Sequence, residues 1–270
     1  MLDTESADLD RRFAGLARLY GNAGAKRIRA AHVVVVGLGG VGSWAAEALA
    51  RSGIARLTLI DLDHIAESNI NRQVHALTAT LGQAKVESMR ERISQINPDC
   101  RVDCIEDFVT GENWPAILPS DTDRASLAVV DACDQPRAKI AMAAWAASHQ
   151  VALISVGVAG GKRLAHRVDI ADLAEVTHDP LLARVRHKLR REHGLARQGL
   201  FGVACVFSVE PVHRPVAHAA TAEHDGLPTS TQAPLKTDGT LNCHGYGSVV
   251  SVTATFGMCA AGWVLNKIAG

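Results

Sequence analysis

Short apolar runs alternate with longer amphipathic segments through the first 157 residues of the chain. The runs are rich in Val, Ile and Leu, as in buried strands, and they occupy residues 33–36, 57–60, 102–105, 127–130 and 151–156. The segments between them have helical periodicity and occupy residues 43–52, 83–96, 111–118 and 136–148. This alternation predicts the α/β class, with a Rossmann-like, doubly wound, mainly parallel sheet that carries helices on both faces.

Additional elements flank the alternating region. Residues 12–29 have a helical pattern interrupted at Gly21 and Gly24, which predicts an N-terminal helical arm. Towards the C-terminus we expect a further strand at 163–170 and a basic helix at 180–193.

A loop and an apolar helix complete the pattern. Four prolines with many Thr, Ala and Gly make residues 211–240 a predicted loop. Residues 248–265 are largely apolar, but their Ser, Thr and Gly residues favour a helix buried in the core over a membrane span. We therefore expect no membrane association.

A glycine-rich turn joins the first predicted strand to the first predicted helix of the sheet. Glycines follow the four valines at positions 37, 39, 40 and 42. Such a turn lets backbone N–H groups and the positive end of a helix approach phosphates closely, since glycine has no side chain to hold them away. We predict that Gly37, Gly39, Gly40 and Gly42 bind a nucleotide; an ordinary tight turn is the alternative.

Acidic residues follow two of the predicted strands. Asp61 lies about 20 residues beyond the last glycine, where a carboxylate accepts hydrogen bonds from ribose hydroxyls, and Asp63 follows it. Asp131 follows the fourth strand, at the same edge of the sheet, where its oxygens suit Mg²⁺. Asp134 is the expected N-cap of the next helix, just before Pro136, with a metal-binding or nucleotide-binding role as the alternative.

Phosphate-binding side chains follow the second strand. Asn71, Arg72 and Gln73 are placed to reach a ribose and a phosphate chain, and Lys85 begins the next helix. A dinucleotide-dependent oxidoreductase has no obvious use for two phosphate-seeking cations here. The pair therefore favours a nucleoside triphosphate.

Composition limits the partners, metals and cellular location that the sequence predicts. Basic and acidic residues number 28 each, so local clusters rather than net charge indicate partners. None of the six cysteines forms a CxxC pair, so we expect no zinc. The acidic N-terminal segment lacks the apolar stretch of a signal peptide, which predicts a cytoplasmic protein with reduced thiols.

Two further features are candidates for chemistry. The basic segment is predicted to follow a nucleic-acid backbone, with a solvated helix face as the alternative; it contains Arg184, Arg186, His187, Lys188, Arg190, Arg191, His193 and Arg197. Cys243, next to His244, is a candidate active thiol, although a small loop residue fits as well.

Several of these segments resemble a known superfamily, the ubiquitin-activating-type (ThiF) adenylation enzymes. The similarity lies in GLGGVGSWAAEALARSGI, LIDLDHIAESNINRQ, GQAKVESMRERISQINP and VVDACDQPRAK. A narrower resemblance, to the tRNA threonylcarbamoyladenosine dehydratases, lies in RFAGLARLYG, DFVT, FGVACVFSVE and GSVVSVTATFG. The likeness is strongest at 31–140 and weakest at 211–240.

The resemblance implies an enzyme that binds ATP and Mg²⁺ and transfers AMP to a carboxylate. The glycines would lie against the phosphates and Asp61 against the ribose, while Arg72 and Lys85 would contact the phosphate chain. Asp131 would support Mg²⁺.

The same resemblance implies a homodimer. One subunit's N-terminal arm would supply an arginine to its partner's site, with Arg18 slightly preferred over Arg12. The chain would then consist of the arm (1–30) and one adenylation domain (31–270). Within that domain, 31–157 would form the nucleotide-binding core and 158–270 the substrate, tRNA and dimer part.

Three functions remain open from sequence. The first is ATP-dependent dehydration of N6-threonylcarbamoyladenosine in tRNA through an acyl-adenylate, with tRNA as partner and cysteine desulfurase or sulfur-acceptor proteins as further candidates. The second, adenylylation of a sulfur-carrier or ubiquitin-like protein, is disfavoured by the missing CxxC pairs. The third, an NAD(P)-binding oxidoreductase or regulatory module, is disfavoured by Arg72 and Lys85.

Overall fold

A computed structural model describes residues 7–195, 198–213 and 246–270 of the chain. The α-helices in these ranges are Leu9–Ala30 (α1), Gly42–Arg51 (α2), Lys85–Ile96 (α3), Pro136–His149 (α4), Pro180–Glu192 (α5) and Val250–Ala269 (α6). The strands are His32–Val36 (β1), Arg56–Ile60 (β2), Arg101–Ile105 (β3), Leu127–Asp131 (β4), Ala152–Val156 (β5), Val168–Asp172 (β6) and Ala204–Ser208 (β7).

All seven strands form one sheet, in the order β3-β2-β1-β4-β5-β7-β6. Every pairing is parallel except that of β6 with β7. Val36 at the end of β1 pairs with Ile60 on one side and Asp131 on the other, so the carboxyl ends of three strands share one edge. Because the strand order reverses between β1 and β4, a ligand crevice is expected at this edge.

The alternating valines of β1 explain the two-sided core. Val33 and Val35 pack in the cluster that contains residues of α1, α2, α3 and α6. Val34 and Val36 pack in the opposite cluster, with residues of α4 and α5. Since successive strand residues point to opposite faces, one fully apolar strand serves both layers. The predicted doubly wound α/β fold is confirmed.

Three local predictions need correction. The helix expected at 111–118 is a series of turns, because Pro115 has no N–H and its ring disrupts a helical interior. Gly21 interrupts α1 with a φ of 70°, but Gly24 continues the helix and is buried. The extra strand begins only at Val168, since the N–H groups of 163 and 164 bond the carboxylate of Glu210.

Helix α6 confirms the buried interpretation of the apolar C-terminal segment. Its residues Val252, Phe256, Ala260 and Val264 have no exposed surface. Among the described residues, no helix has both the length and the apolar character needed to cross a bilayer. The helix packs closely on α2, where a Cβ on Gly257 would lie 2.5 Å from the carbonyl oxygen of Val41.

Replacement of Gly257 with alanine should therefore push α6 away from α2 and lower the free energy of unfolding by about 1–3 kcal/mol. Gly262, on the same helix, is the matched control because a Cβ there meets nothing within 4 Å. Gly262→Ala should instead stabilise the protein by roughly 0.5–1 kcal/mol through helix propensity. Urea unfolding of both variants measures the difference, and equal effects would refute the close-packing argument.

Candidate nucleotide-binding site

A cavity of about 200 Å³ lies at the carboxyl ends of the central strands. Its walls include six of the residues predicted from sequence: Gly37, Gly39, Gly40, Asp61, Asp63 and Lys85. Segments after β4 and β5 and residue Thr253 of α6 complete the walls. The glycine turn, the acidic strand end and one cation therefore meet in one place.

The four glycines are needed for different reasons. A Cβ on Gly39 would meet no atom within 4 Å, so the space at this position is open to a ligand's close approach. Gly37 has a φ of 85° and would press a Cβ against the backbone of residues 132 and 133. Gly42 does not line the cavity; a Cβ there would lie 1.8 Å from the carbonyl oxygen of Gly37. Gly42 is therefore needed because the turn brings it against the carbonyl of Gly37, and not for contact with a ligand.

Asp61 is fixed by the turn that it faces. Its carboxylate accepts hydrogen bonds from the N–H of Leu38, at 2.5 Å, and of Asp63, at 2.9 Å. Burial raises the pKa of Asp61, while the nearby charge of Lys85 and these two N–H groups oppose the rise. The carboxylate is held rigidly at the cavity wall, as recognition of a ribose hydroxyl requires.

Lys85 is a buried cation at the first turn of α3. Its Nζ lies 2.6 Å from Asp63 Oδ2 and 3.8 Å from Asp61 Oδ1. Asp63 is largely exposed, so this ion pair is accessible to a competing anion. A phosphate entering the cavity would therefore exchange partners with Asp63.

Arg72 lies against the glycine turn, while its neighbours point elsewhere. A Cβ on Gly40 would come within 3.2 Å of Arg72 Cγ. The Arg72 guanidinium donates to the carbonyl of Ser68 and to Asn71 Oδ1. Asn71 donates to the carbonyl of Ser248, and Gln73 is buried; these two residues do not line the cavity, and neither does Arg72 itself.

Asp131 is placed inside the protein rather than in the cavity wall. Its carboxylate lies 3.0 Å from Lys139 Nζ and accepts a 2.6 Å hydrogen bond from Ser155, and Asp131 and Lys139 are both fully buried. Burial lowers the pKa of Lys139, but the charge of Asp131 outweighs it, so the pKa lies above its usual value. The carboxylate is thus committed to an internal ion pair, which does not favour the predicted role in holding Mg²⁺.

Asp134 is the carboxylate that the segment after β4 presents to the cavity. It is exposed and lines the cavity, and Gln135 rather than Asp134 is the N-cap of α4. The expectation that Asp134 caps this helix was therefore wrong. Its side chain remains available to a ligand. Asp107, from the segment after β3, also lines the cavity.

Sequence reasoning missed the wall formed after β5. Gly157 and Val158 line the cavity, and Asp179 holds them by accepting a 2.7 Å hydrogen bond from the N–H of Val158. Asp179 also caps α5 through the N–H of Leu182. The Asp-Pro pair at 179–180 is a helix-start signal that identifies this residue, but only the fold brings it to the site.

Comparisons with known proteins agree with this geometry. A sequence model of the ThiF family matches residues 9–270. The chain belongs to the ThiF family. The chain is 41% identical over 260 residues to the tRNA threonylcarbamoyladenosine dehydratase of Escherichia coli K12. This alignment covers 95% of this chain and 93% of that protein. The corresponding Bacillus subtilis protein is 40% identical over 70% of this chain and 71% of its own.

Solved structures extend the similarity of this ThiF-family protein to its fold. The crystal structure of the E. coli dehydratase in complex with ATP matches with a TM-score of 0.80 and 39% identity, covering 97% of this chain and 96% of that one. By contrast, a molybdopterin-synthase adenylyltransferase of Salmonella typhimurium is 47% identical over only 28% of this chain.

Two further predicted residues of this ThiF-family protein, Arg12 and Arg18, do not line the cavity. Arg12 and Arg18 are exposed on α1, and Arg12 donates to the carbonyl of Ile96. Cys243 and Arg197 fall outside the described residues. The described free cysteines, Cys205 in β7 among them, form no metal cluster with His, Asp or Glu in the ranges that the structure covers.

The Asp131–Lys139 ion pair generates a stability prediction. Lys139→Met would leave a buried carboxylate without its cation, which should lower the free energy of unfolding by about 3–5 kcal/mol. The control is Lys188→Met, which breaks a half-exposed pair with Glu192 and should cost less than about 1 kcal/mol. Thermal and urea unfolding report both values, and similar small losses would show that Asp131 is not held by this pair.

Proposed function

We propose that this protein is an ATP-dependent tRNA threonylcarbamoyladenosine dehydratase. The proposal is carried by one observation: the glycine turn, Asp61 and Lys85 meet in the cavity of a chain that matches the E. coli dehydratase and its ATP complex over nearly its full length. The ribose would lie at Asp61, and the phosphates would lie at the backbone of Gly39 and Gly40. Lys85 and Arg72 would contact the phosphate chain.

The chemistry begins with an unreactive carboxylate. An oxygen of the substrate's threonyl carboxylate attacks the α-phosphorus of ATP, and the bond to the leaving pyrophosphate breaks. In the resulting acyl-adenylate, the substrate's own carbamoyl group attacks the acyl carbon and releases AMP, which keeps the carboxylate oxygen. The net change in the nucleoside is the loss of one water. Because nucleophile and electrophile belong to one molecule, their effective concentration is high.

The roles of the chain's own residues are electrostatic. Lys85 and Arg72 stabilise negative charge that builds on the phosphates during attack. A bound Mg²⁺ would neutralise phosphate charge and orient the leaving pyrophosphate. We infer that Asp134 and Asp107 hold this ion, because both residues line the cavity while Asp131 is paired with Lys139.

A homodimer would complete the site. We infer that Arg18 supplies the arginine in trans, since Arg12 already bonds the carbonyl of Ile96 in its own chain. Leu19, beside Arg18, is 75% exposed, which suits a helix face covered by a partner. Cysteine desulfurase or sulfur-acceptor partners and a cytoplasmic location stay predictions from the family resemblance.

The reaction is tested by incubating the protein with ATP, Mg²⁺ and tRNA that carries threonylcarbamoyladenosine. Mass spectrometry of the nucleosides should show loss of one water, and AMP and pyrophosphate should form in equal amounts. Lys85→Met should lower the rate by roughly 10²-fold or more, as removal of a charge stabiliser does, whereas Lys26→Met on exposed α1 should not. Pyrophosphate exchange that responds to a Gly-Gly-ending carrier protein, and not to the modified tRNA, would contradict the proposal.

The basic helix α5 offers the tRNA surface, although fewer of its residues are available than the sequence indicated. The Arg186 guanidinium donates to the carbonyls of Leu173 and Val176, and that of Arg190 lies 5.1 Å from the centre of the Phe201 ring. These two arginines therefore hold the fold. Arg184 and Arg191 are exposed and remain suited to phosphates.

Combined replacement of Arg184 and Arg191 with glutamine should weaken tRNA binding and reduce the slope of log affinity against log salt by about 1.5–2. The control double variant, Arg11→Gln with Lys26→Gln, removes the same charge from exposed α1. Filter binding across a salt series measures both slopes. An unchanged slope in the α5 variant would remove this helix from the tRNA surface.

A further inference from the structure

A second cavity shares no lining residue with the nucleotide site. It has a volume of about 740 Å³ and lies between the start of α1, the end of α2, the length of α3 and the segment 75–80. Three guanidinium groups from three different helices line it, those of Arg12, Arg51 and Arg92. Its volume is within the range of about 300–1,000 Å³ that is typical of small-molecule sites.

His75 is a buried polar residue in the wall of this cavity. The residue is 1% exposed and lines the cavity, yet neither ring nitrogen has a hydrogen-bond partner among the described residues. Its backbone carbonyl, in contrast, accepts from Thr80 Oγ1 at 2.7 Å. Buried polar side chains nearly always have a partner, so the unpaired imidazole of a residue in the wall of this cavity indicates a ligand.

The imidazole is neutral in this position. Burial, with the nearby charges of Lys85 and Arg92, lowers the pKa of His75 to about 4. A neutral ring offers one N–H donor and one acceptor. At neutral pH, His75 therefore presents one donor without adding a charge.

The charge balance favours an anion. Arg51 and Arg92 both pair with Glu47, and Glu91 also lines the cavity. Three guanidinium groups against these two carboxylates leave one positive charge. Arg12 makes its hydrogen bond to a neutral carbonyl, that of Ile96, so its charge has no carboxylate partner in the described structure.

From these observations we propose that the His75 cavity binds a phosphate group. The lining donors belong to three separate segments, α1, α3 and 75–80, which suits a tetrahedral anion with several oxygens better than a planar carboxylate that one guanidinium can satisfy. The phosphate is either free or part of an RNA backbone. The free-ion form does not depend on the function proposed above.

The test uses the full-length protein with its histidines labelled with ¹⁵N. The nucleotide cavity is first saturated with Mg²⁺ and a non-hydrolysable ATP analogue, so that added phosphate reports only on the second cavity. Inorganic phosphate is then titrated, and the His75 ring signals, assigned by their loss in His75→Gln, should shift and saturate.

Arg12→Gln should weaken this binding at least fivefold, whereas Arg11→Gln, an exposed neighbour that does not line the cavity, should leave it unchanged. A second arm titrates unmodified tRNA in place of phosphate. A His75 shift with phosphate alone identifies a free-ion site, and a shift with tRNA alone identifies a backbone site. If neither ligand moves the His75 signals, or if both arginine variants behave alike, the proposal is wrong.

Discussion

Close backbone packing around residues 37–42 is the constraint on which the site depends. The N–H of Gly37 donates to the carbonyl of Ile60, and the N–H of Ala132 donates to that of Val36, so the turn is tied to both neighbouring strands. From the other side, Gly257 of α6 approaches the carbonyl of Val41. The turn is therefore held by the sheet and by a distant helix, and it gains the rigidity that phosphate recognition by backbone N–H groups requires.

The buried ion pair between Asp131 and Lys139 also holds part of the cavity wall in place. The Asp131 carboxylate contacts Lys139, Ser155 and the thiol of Cys133, and Cys133 itself lines the cavity. Burial, followed by the charge of Asp131, raises the pKa of Cys133 well above its usual value. This thiol is therefore a neutral hydrogen-bond donor and not a nucleophile. The network fixes the chain where β4 passes into α4.

The sequence was sufficient for strands β1 to β5, because each contains a short apolar run, but β7, which pairs in parallel with β5, was not among the strands that the alternating pattern predicted. It was also sufficient for Asp61 and Lys85, whose positions relative to the glycine turn follow from the βαβ geometry. For Asp131 the structure gives a position inside the protein rather than at the sheet edge, because β4 extends one residue further than the apolar run. That residue then points into the core, as Val129 does two positions earlier. Lys139 could not be foreseen as its partner, since lysines on helices are usually solvated.

The charges that line the cavity bear on the Mg²⁺ and the second subunit that we propose. Asp61, Asp63, Asp107 and Asp134 line it, against Lys85 and the adjacent Arg72. Four carboxylates against two cations leave two negative charges, which would repel a triphosphate in a partly desolvated cavity. A divalent cation at the outer carboxylates would cancel this excess, and an arginine from a second subunit would then make the site attractive. The proposed Mg²⁺ and the proposed second subunit would thus both offset one charge imbalance: we expect binding of ATP to be weak without Mg²⁺ and weak in a monomer.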